Sequence, residues 1–111
     1  MAARLPTGLW VQAHTARCSA AGIPIVVVRR GDPDRGVVIV KLNHRDEGVR
    51  VVSQIRDVDG TLVWSELFDG RGVSDTEADE YIDRQASYDP DIWVIEVENA
   101  DEDSWFSGEV V

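Results

Sequence analysis

The chain has 111 residues, with 21 acidic and 11 basic side chains, a net charge of −10 and one cysteine. That length fits a single domain over 1–111, and a lone thiol excludes an intramolecular disulfide and fits a reducing cytoplasm. No run of about 18 apolar residues is present to span a membrane, and so acidic a chain repels nucleic acid.

The charge is unevenly distributed. Residues 1–56 hold nine Lys or Arg against four acids, and residues 57–111 hold two against 17. In one small domain the two halves are expected to fold against each other and partly neutralise. The opening stretch, Met1 to Gly8, has no apolar core of the kind a secretory signal needs.

Residues 7–22 read as a helix. Trp10, Ala13, Arg17 and Ala20 form one stripe, and Val11, His14, Cys18 and Ala21 form the next. Gly22 and then Pro24 stop it. An alternative makes Leu9-Trp10-Val11 a short strand, with the helix starting near Ala13.

The stretch Pro24–Asn43 dominates the pattern. Two β-branched runs, Ile25–Val28 and Val37–Val40, flank Gly31-Asp32-Pro33-Asp34-Arg35-Gly36. This predicts a β-hairpin, with glycine supplying positive φ. Neither run alternates, so both strands are expected to be buried on two faces. A polar turn at 44–48 follows. Val49–Arg56 then alternates as a half-buried strand, Asp57–Gly60 turns the chain, and Thr61–Phe68 is a fourth strand with Leu62, Trp64 and Phe68 on one face.

Ser74 and Glu77 form a capping box, and the acids Asp75, Glu77, Asp79 and Glu80 suit the positive end of a helix dipole. Ala78, Tyr81, Ile82, Gln85 and Ala86 make the inward stripe. Pro90 ends this helix, and Ile92–Glu98 is a fifth strand. An acidic tail begins at about residue 99 and contains Trp105-Phe106.

The order α-β-β-β-β-α-β predicts an α+β fold, a mainly antiparallel sheet of about five strands with two packed helices. The helices either take opposite faces, or one face closes against a second copy, so a homodimer is one expected partner arrangement.

Several strings, among them Leu9-Trp10-Val11, Ala20-Ala21-Gly22-Ile23-Pro24, Val28-Arg29-Arg30-Gly31-Asp32, Gly36–Lys41, Arg84-Gln85 and Asp89-Pro90-Asp91-Ile92-Trp93-Val94-Ile95-Glu96, follow a shared pattern. It resembles a family of small bacterial proteins known only as a domain of unknown function. The resemblance covers nearly the whole chain and implies a single small cytoplasmic domain. It implies no activity, substrate or cofactor.

Two clusters are candidates for binding. Asp89-Pro90-Asp91-Ile92-Trp93 puts two carboxylates and an indole at a constrained turn, either as a rigid connector or as metal ligands or an acid–base pair. Arg29 and Arg30 end the first strand. Neighbours on a strand point to opposite faces, so they cannot form one fork. One of them is a candidate anion holder.

His14, His44 and Cys18 are too few for a closed zinc site, and the acidic helix lacks calcium-loop spacing, so no metal or cofactor is expected. Trp64, Trp93, Trp105 and Phe106 are candidate contact residues. The leading expectation is a non-catalytic interaction or ligand-binding domain whose partner is a second copy, another protein or a small anionic ligand. The alternative is a small enzyme on an anionic metabolite, with Arg29 or Arg30 holding the anion and Asp89 or Asp91 moving the proton. A weaker reading is an acidic surface, Asp75 to Asp83 plus the tail, that docks on a basic partner.

Overall fold

A computed structural model describes residues 6–44, 47–56, 59, 62–98 and 109–110. The acidic tail with Trp105 and Phe106 lies outside the described residues, as do parts of the turns at 44–48 and 57–60. The elements are α1 (Thr7–Ala20), β1 (Ile25–Arg29), β2 (Val38–Asn43), β3 (Val49–Arg56), β4 (Leu62–Glu66), α2 (Asp75–Tyr88), β5 (Trp93–Glu98) and a short β6 (Glu109–Val110). The fold is α+β.

The sheet order is β1-β5-β2-β3-β4-β6. Strands β2, β3 and β4 form the expected antiparallel meander. After β4 the chain crosses through α2, and β5 lies parallel to β2 and antiparallel to β1. A second parallel pair joins β4 to β6.

The expected first hairpin is therefore split, because β5 is inserted between its two strands. Trp93, Val94, Ile95 and Val97 are each at most 3% exposed. A strand apolar on both faces gains most from an interior position, which leaves β1 at the edge. The eight residues 30–37 are long enough to step across two strand spacings, about 10 Å.

The two helices cover opposite faces. Val11 of α1 packs with Val38, Val40, Leu42, Val52, Trp64, Trp93, Ile95 and Val97. Ala78 and Ile82 of α2 pack with Ile39, Val49, Val51, Val73, Ile92 and Val94. The alternation along β2 supplies both cores, and this strand is buried on both faces as its sequence predicts.

β1 is not. Val26 and Val28 are each 56% exposed, on the face that α2 covers only over β2, β3 and β5. The valine run fails as a buried strand because composition reports apolarity, and sheet order decides what covers it.

α1 is helical from Thr7 onward, so the alternative strand at Leu9–Val11 is not formed. Thr7, Val11, His14 and Cys18 are its buried residues. Its end is a Schellman motif: Gly22 has φ +75°, the Ile23 N–H donates to the Cys18 carbonyl at 2.8 Å, and the Gly22 N–H donates to Ser19. At the start of α2 the Ser74 hydroxyl accepts from the Glu77 N–H at 3.1 Å.

Phe68 does not share a face with Trp64. Strand β4 ends at Glu66, and Phe68 and Asp69 adopt positive φ. That turn delivers the Phe68 ring to the α2 layer, where it meets Tyr81 edge-on at 5.4 Å.

The two halves of the chain partly neutralise each other. Lys41 meets Asp79 at 2.8 Å, Glu96 at 3.3 Å and Asp75 at 3.6 Å, and Arg50 pairs with Glu66. No described helix is long and apolar enough to cross a membrane.

Candidate functional site

The loop between β1 and β2 wraps the entry of β5. The Asp32 N–H donates to the Asp91 carbonyl at 3.0 Å, and the Trp93 N–H donates to the Val37 carbonyl at 2.8 Å. The Trp93 indole N–H donates to the Asp32 carbonyl at 2.8 Å. Gly31 and Gly36 both face the Asp91 carbonyl so closely that a Cβ on either would overlap it. Neither has positive φ. The expected role, left-handed turn geometry, is replaced by close backbone approach.

The same loop caps α1. No side chain caps this helix. Instead the Gly8 N–H donates to the Pro33 carbonyl at 2.8 Å, the Thr7 N–H to Asp34 at 3.4 Å, and the Thr7 hydroxyl to Gly36 at 2.9 Å. These bonds satisfy helix-end donors that would otherwise lack partners.

Between α1 and this corner lies a groove of about 680 Å³. Leu9, Gln12, Thr15 and Ala16 of α1 form one wall, and Val27, Arg30, Pro33, Asp34 and Trp93 form the other. The volume and the mainly apolar lining are those of a small-molecule site. The Arg30 guanidinium lies 5.5 Å from the centre of the Trp93 ring, within cation–π range. Thr15 Oγ1 is buried and makes no hydrogen bond among the described residues.

The structure thus gathers the sequence candidates at one corner and divides them between faces. Arg30 and Trp93 line the groove. Arg29 lies in a different cleft, with Val28, Lys41, Asp79 and Glu96, and donates to the Pro90 carbonyl at 3.1 Å. A β-bulge between Val27 and Arg29 aligns Arg29 with Val94 on the α2 face. The carboxylates are separate from the groove lining: Asp89 and Asp91 are exposed, and Asp89 Oδ1 accepts from the Asp91 N–H at 3.1 Å. Trp64 is 0% exposed in the core, tilted against Trp10 at 5.7 Å.

Gln12 and Thr15 escaped the sequence reading because they flank the buried stripe of α1 without belonging to it. Lys41 also escaped it, although a lone lysine inside a strand expected to be buried signals a cation that needs carboxylates.

His14 and Cys18 come together, with Sγ 3.8 Å from Nε2. Arg17 lies 3.1 Å from His14 Nδ1, which makes Nδ1 the acceptor and places the ring proton on Nε2. Burial, assisted by Arg17, lowers the His14 pKa to about 4, and burial raises that of Cys18. Both shifts oppose a thiolate–imidazolium pair, the activated form of a cysteine nucleophile. The His14 ring stacks on Trp10 at 4.8 Å instead.

This has a pH consequence. Above about 6.5, His14 is neutral in folded and unfolded chains alike, and its contribution to stability is complete. As the pH falls from 6.5 to about 4, only the unfolded chain takes up the proton, and about 3 kcal/mol is lost. Urea denaturation over that range should show the slope, and a non-titrating His14→Leu variant should lack its share.

Among the described residues no group of three or more His, Cys, Asp or Glu is placed to hold a metal. Fold and groove together define a small α+β domain with one helix on each face of a mixed sheet and a concave site beneath the first helix. The family described as a protein of unknown function, DUF1491, matches residues 5–107, and the chain belongs to it.

It is similar to the crystal structure of a DUF1491 family protein from Caulobacter crescentus CB15, at 33% identity and a TM-score of 0.84, covering 97% of this chain and 100% of that one. It is similar as well to an NMR structure of a DUF1491 family protein from the same bacterium, at 34% identity and a TM-score of 0.84, with 99% of each chain covered. The solution structure of Atu0922 from A. tumefaciens shares the fold, at 21% identity and a TM-score of 0.80, over 96% of this chain and 95% of that one. No curated protein matches the chain.

Proposed function

We propose that the protein is a non-catalytic cytoplasmic ligand-binding domain. Its site is the groove between α1 and the β1–β2 loop, and its ligand is a small molecule with an apolar body and an anionic group. The observation that carries this reading is Arg30 in that groove. Its guanidinium lies near the Trp93 ring, and among the described residues no carboxylate forms an ion pair with it. A guanidinium near an aromatic ring keeps its N–H fork available for a carboxylate or sulfonate. Val11, Val27 and Trp93 supply the apolar contact, and Thr15 Oγ1 offers an unused polar group. The neutral His14–Cys18 pair agrees with a binding role.

Anilinonaphthalene sulfonate has an apolar ring system and an anionic group, so it serves as a probe. It should bind saturably at one site and shift the Trp93 indole N–H resonance. Arg30→Ala should weaken binding about tenfold, a loss of about 1.4 kcal/mol. Ala16→Trp should fill the groove and abolish binding while the near-UV spectrum stays native. Binding indifferent to both substitutions, or no saturable binding, overturns the assignment.

A further inference from the structure

We propose that β1 pairs antiparallel with β1 of a second copy, about a two-fold axis at Val27. Of the β1 residues only Val27 also lines the groove, and Val26, Val28, Arg29 and Glu98, which carry the proposal, do not.

Among the described residues β1 ends the sheet, with β5 as its one partner strand, so one row of its backbone donors and acceptors faces outward there. The run Ile25–Val28 contains neither charge nor proline, two of the obstacles to edge pairing, and another, the bulge between Val27 and Arg29, is confined to the strand's C-terminal end. Val26 and Val28, each 56% exposed, line clefts on the α2 face.

An axis at Val27 sets Val26 of one copy across from Val28 of the other. Directly opposed residues in an antiparallel pair share a face. Four half-exposed valines thereby become one contiguous patch, each valine shielded on one side by its cross-strand neighbour.

Charge selects the antiparallel sense and a second copy as occupant. Glu98 stands at the start of β1, its N–H bonded to the Pro24 carbonyl at 3.0 Å. Arg29 stands at the other end, turned to the same face as Val94 by the bulge. Among the described residues neither side chain forms an ion pair. Strand and neighbour thus carry an acid at one end and a base at the other. That base donates to the Pro90 carbonyl and shares its cleft with Asp79, Asp83 and Glu96 without a direct ion pair among the described residues. The two-fold pairing brings Arg29 of each copy toward Glu98 of the other, twice over, whereas parallel pairing juxtaposes like charges. Two chains of net charge −10 repel at long range, so the dimer forms at high protein concentration.

Sedimentation equilibrium of the full chain, from micromolar to millimolar, should show a monomer–dimer equilibrium. Val26→Lys with Val28→Lys, both at exposed positions, should weaken association at least about tenfold and leave the near-UV spectrum native. Arg29→Glu should weaken it, and adding Glu98→Arg should restore it. Under oxidising conditions a mixture of Val26→Cys and Val28→Cys proteins should cross-link more than either alone. A chain monomeric throughout, a dimer indifferent to the two lysines, or a mixture that cross-links no better than its components overturns the proposal.

Discussion

Gly36→Ala is expected to destabilise the fold by about 3 kcal/mol, the upper part of the range for forcing extra atoms into a packed site. The added methyl overlaps the Asp91 carbonyl and comes within 2.9 Å of Trp93 Cδ1. Neither neighbour can yield cheaply. The Asp91 carbonyl accepts from the Asp32 N–H, and the Trp93 indole is tied to the Asp32 carbonyl. Relief therefore requires the loop to move away from β5, which also withdraws the Pro33 and Asp34 carbonyls from the start of α1. Gly31→Ala meets the same carbonyl and the Ile92 backbone and should cost a similar amount. Gly22→Ala is the contrast: nothing lies near its missing Cβ, and the cost is the positive φ alone, about 1 kcal/mol. Thermal melts should rank the variants in that order, with Gly36→Ala lowered by about 10 °C or more.

Lys41→Met is expected to cost about 2 kcal/mol, less than the loss of one partner of a fully buried ion pair, because Asp75 and Asp79 are more than half exposed and only Glu96 is left partly buried. Lys41 is 5% exposed, and its Nζ sits among Asp79, Glu96 and Asp75. Burial disfavours its charged form. The hydrogen bond to Asp79 and the charges of Glu96 and Asp79 outweigh that, and its pKa is raised. A raised lysine pKa contributes stability that is complete below about 10.5 and is lost only as the pH climbs through the folded value. At neutral pH the full effect of Lys41→Met should therefore appear in urea denaturation. Glu96→Gln in the Lys41→Met background should recover part of the loss, because it removes the least exposed of the stranded carboxylates. No recovery would mean that the loss is one of packing alone.

Much of the architecture was legible from local rules. The Ser74 cap, the Pro90 stop and the Gly22 terminus are local, and each lies where the pattern placed it. The inward residues Ala78 and Ile82 follow from helical spacing. The site was legible in part: Arg30 and Trp93 were identified, and they meet because β5 enters beside the end of β1. Gln12 and Thr15 were not, since a groove is a space between elements and has no signature within either.

The order of residues along the chain was enough to set the number, kind and order of the main elements, the opposition of Arg29 and Arg30 across the sheet, and the partial neutralisation of one half by the other. All of these depend on spacing along the chain or on its overall balance of charge. Packing settled the rest: β5 separates β1 from β2, Gly31 and Gly36 serve close approach, and Val26 and Val28 stay exposed. The physical reason is competition for the interior of the sheet. Two strands rich in β-branched residues look alike in isolation, and the better buried place goes to the one that α2 delivers beside β2.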